Sequence, residues 1–345
     1  MDDRSMIAVT APAAGGHRCN NGDEPAVALE RRWTDGEYIL KRNLQRFEET
    51  YFAGDAFPQI WLNLGASGHA AFFSGAKYGF DDSTIWFERS LGDGPMSDDD
   101  PPEVEFDPEA PLYRATLDLA RYLADEARGR FFVSMPDTSG NLDALAHLRG
   151  SEGVLTDMIS RPEWVHRELV RVQEAWRRTV ESVYQITHEN NDGGSTIGWL
   201  NTWAPGRHAQ MQCDLSVMIS PECFREFAVP ELDAQIDWMD HSLYHFDGID
   251  QARHLDALLD LDGLDAIQFT CVAGQPSPVH YLPLLKRIQN AGKSLLIPLY
   301  EGAEQEEIIT LLQELSSKGL MLIARADSVE EADAIVSLAG RYTHE

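Results

Sequence analysis

The chain is short of positive charge. It carries 28 Lys and Arg against 57 Asp and Glu, a formal net charge of -29 at pH 7. A surface this acidic repels polyanions, which argues against nucleic acid and anionic membrane as partners. Cysteine is scarce as well. The four are Cys19, Cys213, Cys223 and Cys271, with no CxxC pair, so neither a zinc knuckle nor a disulfide framework is expected. Long apolar runs are missing: Met6–Ala14 is too short to span a bilayer and contains Pro12. The start, Met1-Asp2-Asp3-Arg4, leads into no sustained apolar h-region. The expectation is a cytoplasmic protein with free thiols. No GxGxxG follows a strand-like run and no GxxxxGK(S/T) occurs, so nothing indicates a dinucleotide or a P-loop nucleotide.

What is present is 345 residues that are 43% hydrophobic, enough for one large core. Residues 1–28 are rich in Ala, Gly and Pro without periodicity and read as a flexible N-terminal arm. From residue 29 to 345 apolar strand-like runs alternate with helix-like stretches. The strand candidates are Gln59–Leu64, Thr84–Phe87, Phe131–Ser134, Thr196–Leu200, Leu243–Phe246, Ala266–Thr270, Ser294–Leu299 and Leu320–Ala324. Helix candidates include Tyr113–Glu126, Pro162–His188, Pro221–Trp238 and Ser328–Leu338. Ser220-Pro221-Glu222 and Ser328 followed by two glutamates are helix starts. Continuously apolar strands separated by helices predict a parallel sheet buried on both faces. Eight such units predict an α/β protein that is a single (β/α)8 TIM barrel, with a doubly wound open sheet as the alternative.

In such a barrel the chemistry sits where strands end. Leu243-Tyr244-His245-Phe246-Asp247-Gly248 is an apolar run stopped by glycine, and positions i and i+2 of a strand share a face. An imidazole and a carboxylate therefore stand side by side. They read as an acid/base pair or as two metal ligands, with Cys271 at the next strand end as a third. A hydrogen-bonded pair closing the barrel rim is the structural alternative. Other strand ends add Asn63, His69, Asp137, Trp199, Asn201, Trp203, Arg207, Gln268, Tyr300, Glu301 and Arg325. Trp199 and Trp203 suit the wall of an aromatic pocket. Arg207 or Arg325 could hold a substrate carboxylate, or equally a surface partner.

Several segments then resemble one superfamily in the same order. They are Gly140-Asn141-Leu142-Asp143-Ala144-Leu145-Ala146-His147-Leu148-Arg149-Gly150, Gln212-Cys213-Asp214 with Ile219-Ser220-Pro221-Glu222, Tyr244–Gly248 with His254-Leu255-Asp256, and Ala266-Ile267-Gln268-Phe269. Together they resemble the uroporphyrinogen decarboxylase-like superfamily over roughly residues 30 to 340. That resemblance implies a TIM barrel with its cleft at the strand C-termini. It also implies either a cofactor-free decarboxylase or a zinc-dependent methyltransferase serving a corrinoid protein or a thiol. The arginine-rich PxWxMRQAGR segment of the true decarboxylases has no counterpart here, so a carboxylated small molecule other than uroporphyrinogen is expected. Where the methyltransferases offer HxC, this chain offers His245-x-Asp247, with Cys271 near the place of their carboxylate. Their late Cys is missing from Leu320–Asp327, where Asp327 could substitute.

The leading expectation is a lyase of the decarboxylase type. Its catalytic residues are His245, Asp247 and Asp137, and its substrate-binding residues are Asn63, His69, Trp199, Asn201, Trp203, Arg207, Gln268 and Arg325. It needs no cofactor. The second expectation is a zinc methyltransferase with His245, Asp247 and Cys271 on the metal and a corrinoid protein as partner. The third is a non-catalytic ligand-binding barrel. A homodimer is the expected assembly.

Overall fold

The protein is described by a computed structural model over residues 4–13, 28–92, 101–138, 140–299 and 304–344. Cys19, Tyr300, Glu301 and the middle of the acidic loop after Gly92 lie outside the described residues. In chain order the strands are β1 Met6–Pro12, β2 Thr50–Gly54, β3 Gln59–Ile60, β4 Lys77–Phe80, β5 Ile85–Glu88, β6 Phe132–Val133 and β7 Gly194–Ile197. They continue as β8 Thr202–Pro205, β9 His208–Met211, β10 His241–Asp247, β11 Ala266–Thr270, β12 Ser294–Leu299 and β13 Leu320–Arg325.

The central sheet has seven strands in the order β2-β1-β13-β12-β11-β10-β9. Every neighbouring pair is parallel except β1 with β2. Two short parallel pairings, β3 with β6 and Met135 with Ile197, extend the arrangement on the far side. Among the described residues the ladders do not run unbroken around a closed barrel. The architecture is mixed α/β with a central, mostly parallel sheet.

Both faces of that sheet are covered, which is why its strands read as unbroken apolar runs. Tyr244, Phe246, Ile267, Phe269, Leu295, Ile297 and Leu322 pack outward against the helices. Ala8, Leu243, Leu296 and Ile323 pack on the other face with Ile197 and Leu200. Each such fully buried large side chain is worth roughly 1.5–3 kcal/mol of transfer free energy. The helix Pro162–Thr187 buries Val165, Leu169, Val172, Trp176, Val180 and Val183, a stripe at helical spacing. The stretch expected as one helix over Pro221–Trp238 contains a π-type turn at Phe224–Ala228. Pro230 follows it and has no N–H to donate to the preceding turn.

Three expectations need correction. Met6–Pro12 is not part of a loose arm: it is β1, paired in parallel to β13 and antiparallel to β2. Thr84–Phe87 is not a sheet strand between helices; it belongs to the β4–β5 hairpin. His208–Met211 was not expected as a strand, yet it is the sheet-edge strand β9. Its polar His208 and Gln210 break the apolar pattern because their side chains are hydrogen-bonded inside.

Candidate metal centre

Strand β10 delivers His245 and Asp247 to one face, with Phe246 buried on the other. Gly248 follows at φ +83, a left-handed turn that glycine takes without strain and that ends the strand here. His245 stands in register with Gln268 of β11. Its Nδ1–H donates to the Gln268 carbonyl, whose amide in turn donates to the Thr270 hydroxyl. That chain fixes the tautomer. The lone pair of His245 is on Nε2, which lies 3.7 Å from Asp247 Oδ1.

Strand β9 and the residues just after it contribute a chain of amides. Trp199 Nε1–H donates to Gln210 Oε1. Gln210 Nε2 donates to Asp137 Oδ1 at 3.1 Å and to Gln212 Oε1 at 3.3 Å. Gln212 Nε2 donates to Asp214 Oδ2 at 3.1 Å. Asp214 thus arrives beside β10. One ligand atom each of Asp214, His245 and Asp247 lies within 4.8 Å of the others. Two atoms bound to one ion at about 2.1 Å each stand roughly 3–4 Å apart, so the 3.7 Å pair fits.

Burial shapes the charges. His245 is 8% exposed, and burial lowers its pKa against the pull of Asp247 and Gln268, which leaves a neutral imidazole suited to a metal. Asp214 has surface open to solvent as a residue, yet protein crowds its carboxyl group. Burial first, then Asp247 and Asp137, raise it to about 7. Behind it Asp143 accepts the N–H groups of Asp214 at 2.8 Å and Leu215 at 2.7 Å. Burial and the Asp214 charge raise Asp143 to about 7 as well, against those two N–H groups. Two carboxyls pushed toward neutrality beside an imidazole with a free lone pair are the arrangement a divalent ion resolves by its own charge.

Asp214 and His245 open onto a cleft of about 300 Å³, whose wall also includes Trp61, Asn63, Asp137, Trp199 and Gln212. Of the residues expected at the site, Asn63, Asp137, Trp199 and His245 line it. Trp199 meets His245 edge to face, with ring centroids 4.7 Å apart. Gln268 acts through His245.

The others stand elsewhere. His69 is fully buried away from the cleft, and burial lowers its pKa to about 3 against the pull of Asn141. Asn201 donates to the Phe57 carbonyl. Trp203 donates to the Asn191 carbonyl at 2.9 Å and stacks on Phe132. Arg207 is paired with Glu181 and lies over Tyr184 and Trp238. Arg325 is exposed at the end of β13, beside Thr10, and Asp327 is exposed at the start of the last helix.

Cys271 is not in the three-residue cluster. Gln268 and Thr270 share one face of β11, so Cys271 shares the other with Phe269, against the helical layer. Burial and the Glu307 charge push its thiol up to about 11. The sequence reading missed Asp214 as a ligand. Its signal was the run Gln210-x-Gln212-x-Asp214, polar side chains linked by hydrogen bonds from the end of β9 into the turn that follows it.

No family model matches the chain, and no curated protein matches it. Among solved structures it is similar to a methyltransferase from Methanosarcina mazei, at 12% identity and a TM-score of 0.58, over 90% of this chain and 86% of that one. That likeness is one of fold. Nothing in the comparisons points to a decarboxylase, and the superfamily expected from the sequence is not confirmed by them. No helix among the described residues is long and apolar enough to cross a membrane.

Proposed function

We propose that this chain is a metal-dependent methyltransferase that activates a small thiol, built on a (β/α)8-type barrel. The observation that carries the reading is the convergence of Asp214, His245 and Asp247, with Gln268 holding the imidazole so that Nε2 faces Asp247. The likeness to a methyltransferase agrees with it. The barrel is supported by the inner cluster, in which Ala8, Leu243, Leu296 and Ile323 of the sheet meet Ile197 and Leu200.

The donor set is one nitrogen and two carboxylate oxygens, which suits zinc or a harder divalent ion. Asp214, His245 and Asp247 would hold it. When bound, the ion supplies a positive centre that lowers the pKa of a thiol presented to it. The protein does the rest. Gln268 keeps His245 in one tautomer and one orientation. Gln212 positions the Asp214 carboxylate, and Gln210 ties Asp137 and Trp199 into the same wall. Decarboxylation of a carboxylated substrate is disfavoured because, among the described residues, no Lys or Arg lines the cleft.

The test uses cobalt as a spectroscopic stand-in for the native ion. Cobalt-loaded protein mixed with 2-mercaptoethanol at pH 7 should develop a sulfur-to-cobalt charge-transfer band and release a proton, and His245→Ala should do neither. Cobalt uptake without either signal would sink the thiol-activating reading.

A further inference from the structure

We infer that the cleft beside the metal centre takes a small organic cation, a methylated ammonium or sulfonium ion; this rests on the methyl-transfer reading above. The lining combines two indoles, Trp61 and Trp199, with the carboxyl groups of Asp137 and Asp214, and Asp247 is clustered with Asp214 and His245. Asp137 is 6% exposed, so its charge acts in a poorly solvated place. The remaining polar groups of the wall, Asn63, Ser83, Thr84 and Gln212, are neutral. No Lys or Arg lines the cleft among the described residues. The two arginines that an anionic substrate would need lie away from it, Arg207 against Glu181 and Arg325 at the exposed end of β13.

The charge balance has the same sign with the metal bound. With a divalent ion held by Asp214 and Asp247, the carboxyl group of Asp137 remains on the cleft wall outside the donor set. A carboxylate or sulfonate substrate would meet that carboxyl group without a counter-ion, whereas an onium ion is attracted by both the carboxylates and the aromatic faces. Methylated onium ions cannot donate a strong hydrogen bond, so aromatic walls and nearby carboxylates are the groups that recognise them. The space of about 300 Å³ suits a molecule of a few heavy atoms beside a second small substrate.

In methyl transfer such an ion is the donor. Its methyl–nitrogen or methyl–sulfur bond breaks, and that electron pair leaves on a neutral amine or sulfide. The thiolate's electron pair forms the new carbon–sulfur bond, and the thiol proton has already passed to solvent. The positive charge of the donor and the negative charge of the thiolate cancel, so no further oxidant or reductant is needed.

The experiment titrates the full chain with choline and with its uncharged carbon isostere, 3,3-dimethylbutan-1-ol, by calorimetry and tryptophan fluorescence. Tetramethylammonium, trimethylsulfonium and acetate are run beside them, on chelator-treated and on zinc-loaded protein. Choline should bind about tenfold or more tighter than the isostere, and acetate should not compete. Trp199→Leu and Asp137→Asn, each checked for folding by near-UV circular dichroism, should weaken choline, while Arg207→Ala should not. A preference between the two onium ions names the donor atom, and either preference supports the inference. Equal binding of the isostere, competition by acetate, or no saturation by any onium ion overturns it. Onium failure with zinc still bound removes this inference alone, whereas zinc failure with choline still bound removes the metal reading alone.

Discussion

Replacing Gln268 by Leu is the sharpest perturbation of the site, because Gln268 touches the metal centre only through His245. Its carbonyl accepts the His245 Nδ1–H, and its amide donates to the Thr270 hydroxyl. Leucine has a similar volume and keeps the buried packing, but it leaves a buried N–H donor without an acceptor. An orphaned buried polar group costs about 1–3 kcal/mol. The imidazole can escape that cost by rotating or by moving its proton to Nε2, and either response removes the lone pair that faces Asp247. Loss of such an outer partner lowers metal affinity by about 10–100-fold, which is about 1.4–2.8 kcal/mol. Gln268→Glu restores an acceptor and should restore affinity to near that of the unaltered protein. Zinc affinity measured by competition with a chromophoric chelator decides it, with urea unfolding of the metal-free variants as the stability control. Unaltered zinc affinity in Gln268→Leu would refute the tautomer argument. So would a loss that Gln268→Glu fails to restore.

Metal uptake should rise with pH through about 7, because Asp214 and Asp143 are both raised to that value and must lose protons as the ion enters; Asp143→Asn should move the midpoint lower, as read by zinc titration at fixed pH values. For the metal-free protein the sign is opposite. The folded state binds more protons than the unfolded one between about 4 and 7, so stability is fully present below that window and falls as pH rises through it; urea midpoints across pH 4–8 measure this, and a midpoint rising with pH would contradict it. Glu231 is buried, and burial followed by the Asp143 charge raises its pKa well above the ordinary value, against the backbone N–H groups of Leu142 and Asn141; Glu231→Gln should therefore match the parent protein at pH 5 and be more stable at pH 8, and equal destabilisation at both would contradict the assignment. Gly54 stands at φ +64, and a Cβ there would meet the Ile7 carbonyl oxygen at 2.2 Å. Gly54→Ala should cost about 1–3 kcal/mol, and a neutral result would argue against β1 in the central sheet.

The later strands were legible because they are apolar on both faces. The expected runs Ala266–Thr270 and Ser294–Leu299 coincide with β11 and β12, and Leu243–Phe246 lies inside β10. Strand β1 was not legible. Its Ile7-Ala8-Val9 core is short and leads into a Pro- and Gly-rich stretch that reads as an arm. Strand β9 was hidden by polar side chains that are satisfied by partners far along the chain, Thr202 for His208 and Asp137 for Gln210. Thr84–Phe87 carried a correct strand signal, but periodicity does not reveal whether the partner is a distant parallel strand or a hairpin neighbour.

At the site, the pairing of His245 with Asp247 follows from strand periodicity alone. The third member did not. Cys271 attracted attention as a thiol near a strand end, yet its parity relative to Gln268 already places it on the opposite face of β11. Asp214 lies beyond β9, in the 3-10 turn that follows it, where strand parity gives no guide, and it is Gln212 that ties it to the site. The arginines failed for another reason: an arginine after a strand looks the same in sequence whether it faces a cleft or, like Arg207, a glutamate on a neighbouring helix.

The most direct test of the account is the zinc stoichiometry and affinity of the purified chain beside its Asp214→Ala, His245→Ala and Cys271→Ala variants. The account predicts one equivalent of zinc, lost in the first two variants and kept in Cys271→Ala. Zinc retained by Asp214→Ala and lost by Cys271→Ala would contradict it.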